Sequence, residues 1–479
     1  MNDKAKSLIR NIRYTVSANF LVLAISILLN LFVPKFLGVT DYSYWQLYVF
    51  YSGYIGFFHF GWLDGIYLKM GGEDYDNLDK KSIGNQFILF FLFQLVFSSL
   101  LIIYILINRI EETKNIILLF IALSLIITNC KTFVIYILQT TNRIKEYAIL
   151  SRSDRYIYLL ISMAYLIFIG NNFYMLIIMD LVSKLIMLAW GIMRVSDLFN
   201  YRFRLYKKTF FEAIDNIKVG CNLMLSNIAS LLIMGISRIF IERQWSITTF
   251  GKLSFALSIS NMFMTFINAV GIVMFPMLRR TPEKLLPQLY LKLRHTFVPM
   301  TYFLLIFYAP IAFILRLWLP NYSDSIYFMG FLFPMVIYEG RMALLVSTYL
   351  KTIRREKIIL LSNVITLIFS TIISYISTFI ISNLEVAILA IIISITFRCL
   401  ITEYQLLRIL NIKLEKDFYL EILLAGLFIY FSTQLSLLKG WIAYVFVFGL
   451  YMFIQKNNFY YSFISLVKLT KKEGNVVDL

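Results

Sequence analysis

Fourteen apolar runs, most about twenty residues long, set the first limit on what this chain can fold into. A bilayer core about 30 Å thick takes about 20 residues of helix at 1.5 Å each. Between charged breaks such runs fall at 15–33, 44–64, 86–107, 116–138, 156–170, 173–193, 219–241, 250–275, 297–319, 326–350, 358–381, 386–409, 418–435 and 441–455. The fifth is short, and Gly170-Asn171-Asn172 separates it from the sixth. Hydrophobic residues make up 60% of the chain and charged residues 15%, against about 45–50% and about 25% in soluble domains. So few charges cannot clothe so much apolar surface in water, and mean hydropathy is +0.76. The expectation is an all-α polytopic membrane protein with about fourteen transmembrane helices. A cytosolic enzyme, a disordered tail and a secreted disulfide scaffold are excluded.

The chain carries 45 Lys and Arg against 27 Asp and Glu, a formal net charge of +18. In a soluble protein that excess would suggest nucleic acid. In a membrane protein it marks the cytoplasmic loops, so no nucleic-acid partner is expected. With the N-terminus inside, 33 basic residues fall in cytoplasmic stretches and six outside: Lys35, Arg109, Lys114, Arg243, Lys252 and Lys439. Missing one helix would destroy that sorting, so both termini read as cytoplasmic. The first run exceeds the apolar region of a cleaved signal and carries Asn19 and Asn30, which makes it a span. The longest polar stretches lie near 65–85, 194–218 and 276–296, and no soluble domain is expected. Cys130, Cys221 and Cys399 fall inside apolar runs without metal-ligand spacing. They read as small buried hydrophobes, with no disulfide, metal site or cofactor expected.

A loose internal repeat is visible. Ser17-Ala18-Asn19 in the first run leads, after Phe36-Leu37-Gly38, into Tyr42-Ser43-Tyr44-Trp45. Leu225-Ser226-Asn227 in the seventh leads, after Phe240-Ile241-Glu242, into Thr249-Phe250-Gly251-Lys252. Six spans separate the copies, an even number, so the halves share orientation, the parity of a parallel repeat about the membrane normal. This predicts a six-helix bundle over 1–197, a second over 198–409, and helices 13 and 14 with a cytoplasmic tail over 410–479.

The basic N-terminus, Ser17-Ala18-Asn19, Pro34-Lys35-Phe36-Leu37-Gly38, the aromatic Tyr42-Ser43-Tyr44-Trp45 and the turn Gly61-Trp62-Leu63-Asp64-Gly65 together resemble the opening of bacterial polysaccharide flippases. These belong to the multidrug/oligosaccharidyl-lipid/polysaccharide exporter superfamily. The pattern departs from the family in having Trp45, where Gly usually follows the Tyr. The resemblance implies a carrier, not an enzyme, in the bacterial cytoplasmic membrane. It would move an undecaprenyl-pyrophosphate-linked oligosaccharide between leaflets by alternating access, for O-antigen in lipopolysaccharide, capsule or exopolysaccharide. A polysaccharide polymerase and a chain-length regulator would then be partners beside the membrane lipids. No GxxxxGK[ST] pattern occurs, so nothing in the sequence argues for ATP hydrolysis.

Six basic residues remain inside predicted spans: Lys131, Lys184, Arg238, Arg316, Arg341 and Arg398. At a helix centre each costs about 2.5–3.5 kcal/mol, so they should face protein or water. Arg238 and Arg316 lie near outer ends and are placed to snorkel. Arg238 has Glu242 at i+4 and Lys184 has Asp180 at i−4, spacings that suit same-helix ion pairs. Lys131, Arg341 and Arg398 lie deeper with no acid at i±3 or i±4. They are the leading candidates for a cationic cavity that binds pyrophosphate, with Lys184 and Arg238 beside them, because a guanidinium fork matches phosphate oxygens. The alternative for these three is interhelical pairing with Glu339 or Asp180. Asp64, Asp180, Glu339 and His59 are candidates for ion coupling, with Asp64 more readily a cap at the cytoplasmic boundary. Pro310 and Pro334 should break the ninth and tenth spans.

Three rival functions compete. A glycosyltransferase would use Asp74-Tyr75-Asp76 to hold a metal, but this DxD lies in a polar loop with no soluble domain behind it. A polysaccharide polymerase would need a long outside loop, and the predicted ones are about ten residues or fewer. A multidrug exporter of the same superfamily would be expected to have twelve spans and a more acidic cavity.

Overall fold

The computed structural model describes the backbone of residues 3–108, 111–201, 206–413 and 417–471, and side chains from Ala24 to Val467's predecessor, residue 466, apart from those gaps and eight positions between 266 and 280. The described residues are helical without strands, as expected of a chain that must satisfy its backbone hydrogen bonds inside a bilayer. Helices occupy all fourteen predicted stretches. Among the described residues, nine helices are long and apolar enough to cross a membrane, or ten when a bent pair counts as one span. The chain is an all-α, multi-pass membrane protein.

Two compact units form, one from Leu31–Ile228 and the other from Met1–Asn30 with Ala229–Leu479. The first unit holds the end of α1 (Asp3–Ser52), then α2 (Trp62–Met70), α3 (Lys80–Ile107), α4 (Glu112–Thr140), α5 (Ile144–Phe168), α6 (Phe173–Arg194) and the start of α7 (Lys207–Gln244). Gly38 breaks α1 at φ 74°, ψ 176°, a conformation open to glycine alone. The second predicted span is not continuous. A 3₁₀ turn over Ile55–His59, followed by left-handed Phe60 and Gly61, interrupts it before α2 begins. The fifth span, short by hydropathy, belongs to a helix of 25 residues that begins among charges. The break at 170–172 is real, and the Asn172 side chain caps α6 by accepting from the Tyr174 N–H at 2.8 Å. A core of aromatic and aliphatic side chains joins α2, α3 and α4. Trp62 meets Phe90 edge-on at 5.4 Å, and Phe87 meets Phe133 likewise at 5.2 Å. α2 and α7 touch backbone to backbone: a Cβ on Gly65 would lie 1.9 Å from the Asn216 carbonyl oxygen.

At the loop ends of this unit, Arg143 lies 4.5 Å from the Tyr75 ring centre and pairs with Glu146 at 2.5 Å. The guanidinium holds the Glu146 carboxyl below its usual range. Tyr75 and Lys80 both bind Asp197, at 2.6 and 2.8 Å, which ties down the loop carrying Asp74-Tyr75-Asp76.

The second unit contains the end of α7, then α8 (Ile247–Arg280), α9 (Leu286–Leu304), α10 (Tyr308–Trp318), α11 (Ser323–Leu332), α12 (Met335–Arg341), α13 (Ser347–Thr352), α14 (Glu356–Tyr375), α15 (Leu384–Ile409), α16 (Asp417–Gln434) and α17 (Leu437–Lys471). Pro310 sits at the start of α10, just after a 3₁₀ turn that interrupts the ninth span. Pro334 falls in the break between α11 and α12, where the tenth span bends by 45°. Tyr308, Phe333, Phe428 and Tyr444 stack into one core, with Phe428 and Tyr444 edge-on at 5.0 Å, so helices 13 and 14 (α16 and α17) pack as part of this unit.

Candidate functional site

The bend at Pro334 starts a short helix, α12, and a π-helical turn over Met342–Val346 ends it. Such turns widen the backbone and are frequent at functional sites. Here the Thr348 hydroxyl donates to the Ala343 carbonyl at 2.7 Å across the turn. Beside this segment lies a cleft of about 580 Å³, walled by α7, α8, α12, α14, α15 and the π turn. Ser230, Asn268, Asn363, Glu339, Arg398 and Lys351 give it polar walls within otherwise apolar helices.

Arg398 is only 4% exposed. Its Nη1 donates to the Ser230 hydroxyl at 2.8 Å, and its Nη2 makes an ion pair with Glu339. Its Nε has no partner. The Glu339 side chain is 20% exposed, the wettest member of the buried ion pairs in this unit.

A second charged cluster shares α12 and α15 with this site but is sealed. Arg341 reaches Glu403 at 3.1 Å and Glu421 at 2.5 Å. Arg294 reaches the other oxygens of the same carboxylates, at 3.1 and 2.8 Å. The Tyr290 hydroxyl adds a bond to Glu403 at 2.7 Å, and both guanidiniums lie over the Phe418 ring. Two cations and two anions thus balance, with every member of the four at most 3% exposed. The network ties α9, α12, α15 and α16 together.

In the first unit Lys131 binds Asp154 at 2.5 Å, both buried. Lys184 binds Asp180 at 2.5 Å, the same-helix pair its spacing suggests, and the Tyr48 hydroxyl donates to Asp180 at 2.7 Å. His59 is buried; its Nδ1 accepts from the Gly61 N–H at 3.0 Å and its Nε2 lies 3.8 Å from Asp64. The imidazole therefore fastens the turn that breaks the second span. Back in the second unit, Arg238 donates to the Ser254 hydroxyl at 2.7 Å and lies 5.2 Å from the Phe250 ring centre.

Lys131, Arg341 and Arg398 have no acid one turn away on their own helices, and these distances show the alternative the sequence left open, pairing between helices. Each has a carboxylate on another helix, because a bare buried charge costs more than a paired one. For Arg398 the partner is Glu339, one of the two acids the sequence offered. Arg294 needs correction: it reads as a cytoplasmic loop charge, yet it is buried within α9. Asp154, Arg294, Glu403 and Glu421 were missed as site members. For Glu403 and Glu421 the signal was present, since each is an acid inside an apolar run. No group of three or more His, Cys, Asp or Glu suited to a metal occurs among the described residues.

No family model matches the chain, and no curated protein matches it by sequence. Solved structures do match in fold. The chain is similar to lipid II flippase MurJ in an inward closed conformation, with a TM-score of 0.67 and 14% identity over 94% of this chain and 100% of that one. It is also similar to a multidrug resistance MATE family transporter of the MOP superfamily in an inward-facing conformation, with a TM-score of 0.60 and 12% identity over 83% and 98%. These two likenesses show a shared all-α membrane fold.

Proposed function

We propose that this chain is a flippase, not an enzyme. It carries a polyprenyl-pyrophosphate-linked oligosaccharide from the inner to the outer leaflet of a bacterial cytoplasmic membrane by alternating access. The observation that carries the reading is the polar cleft in the second unit, with the Arg398 guanidinium in its wall and Lys351 also lining it. On the proposed orientation, with both termini cytoplasmic, Lys351 lies towards the cytoplasmic end of the cleft. A pyrophosphate head fits such a site because a guanidinium presents parallel donors to its oxygens, while the polyprenyl tail stays in lipid. Flipping breaks no covalent bond, so the machinery required is a site and a change of access. The fold shared with a lipid II flippase supports a lipid-linked cargo. Arg398 contacts the head in this reading; Arg341 and Arg238 brace helices of the second unit, Lys131 and Lys184 brace helices of the first, and Glu339, Asp180, Asp64 and His59 are the groups open to ion coupling. The cargo serves surface polysaccharide such as O-antigen or capsule, with a polymerase and a chain-length regulator acting after it.

Deleting the chain in its host tests this. Lipid-linked repeat units should accumulate in the inner leaflet, and Arg398→Gln should reproduce the block at normal protein levels. Single repeat units stranded outside would indicate a polymerase and reject the reading.

A further inference from the structure

The Arg398 guanidinium has one donor on a carboxylate and a neighbouring buried donor without a partner. In a guanidinium, Nε–H and the neighbouring Nη2–H point the same way and together take a bidentate oxyanion. Here Nη2 is occupied by one Glu339 oxygen, and Nε has no partner. Among the described residues, Arg398 is the partner of the Glu339 carboxylate, and Glu339 lines the cleft. The contrast lies two residues away. The Nε of Arg341 is likewise without a partner, but Arg341 spends Nη1 and Nη2 on two different carboxylates, each also held by Arg294, with no opening comparable to the cleft.

We propose that Glu339 is an internal stand-in for the anionic head of the cargo, holding Arg398 until a diphosphate displaces it and returning when the cargo leaves. The proposal rests on reading the cleft as the cargo site. An empty carrier with Arg398 bare would leave a buried cation without a counter-ion, a state that costs several kcal/mol. A permanent carboxylate clamp, as around Arg341, would shut the site. A single carboxylate bound through one oxygen avoids both. The incoming diphosphate takes Nη2 from Glu339, and the displaced Glu339 turns into the cleft, where Lys351, Ser347 and Asn363 offer positive charge and donors; the buried Nε beside Nη2 becomes a second donor to the head once the carboxylate has swung away. After translocation the carboxylate competes for Arg398 again and helps expel the head. Glu339 thereby makes binding weaker and turnover faster.

The test uses the purified full chain in lipid nanodiscs, titrated with inorganic pyrophosphate and read by calorimetry. Glu339→Gln and Glu339→Ala should each tighten binding roughly tenfold, about 1.4 kcal/mol, and Arg398→Gln should abolish it in either background. In cells, Glu339→Gln should lower surface polysaccharide despite the tighter binding, because release slows. If Arg398→Gln abolishes binding while neither Glu339 variant tightens it, the stand-in is overturned and the cargo site survives. If pyrophosphate binds neither wild type nor the Glu339 variants, or binds equally well without Arg398, the cargo reading falls and the stand-in falls with it.

Discussion

Glu339 and Arg341 are neighbours on one short helix, yet each belongs to a different kind of ion pair. Around Arg341 and Arg294, four charges share two carboxylates, exclude solvent and bind α9, α12, α15 and α16 together. Around Arg398, one carboxylate contact and one hydroxyl border an open cleft. Charge balance and access are the difference. A network whose charges cancel is structural, because removing one member strands the others in a low dielectric. A pair beside a cleft can lose its partner to water or ligand at smaller cost. What a buried arginine does in a membrane is therefore set by whether its counter-charges are saturated and dry, rather than by its depth.

The largest expected effect breaks the sealed side of that comparison. Arg341→Gln should cost about 3–5 kcal/mol by stranding Glu403 and Glu421, whereas Arg398→Gln should cost less than about 2 kcal/mol. Thermal unfolding of both variants in one detergent checks this, and equal shifts would erase the distinction. Next comes a contact that uses no charge. Gly65→Val in the first unit forces a side chain onto the Asn216 backbone and should cost about 1–3 kcal/mol or more. Gly56→Ala, where a Cβ meets nothing within 4 Å, should leave the unfolding temperature nearly unchanged. The smallest effect is at the Arg143–Glu146 pair near the surface, worth at most about 1 kcal/mol. Its folded carboxyl titrates below the usual range. The pair's stabilisation is therefore present above the ordinary glutamate range and is lost as pH falls through the lowered value. Acidification should shift the wild-type melting temperature by a small increment that Glu146→Gln lacks.

Much of the architecture was legible because bilayer thickness and helix rise leave little freedom: a run of twenty apolar residues is a helix whatever its order. The Lys184–Asp180 pair was legible for a similar reason, since a spacing of four is one helical turn. The break in the second span was not. Phe57-Phe58-His59-Phe60 is as apolar as its surroundings, and the turn depends on left-handed Phe60 and Gly61. The sealed network escaped because its bonds join residues 62 to 127 positions apart, which no local pattern encodes. Arg294 misled by lying among Lys284, Lys292 and His295, a stretch that looks like a cytoplasmic rim. Arg398 and Glu339 were each visible as charges inside spans; their meeting required the fold.

Residues two apart on an α-helix point about 200° away from each other. Arg341 pins one side of α12 while Glu339 hangs from the opposite side, so the backbone between them stays still as the carboxylate changes partners. Any such exchange is then a rotation about side-chain bonds, on a scale of about nanoseconds, against about microseconds to milliseconds for collective movements of helices. Under the proposed function, the exchange at Arg398 is then faster than any movement of helices.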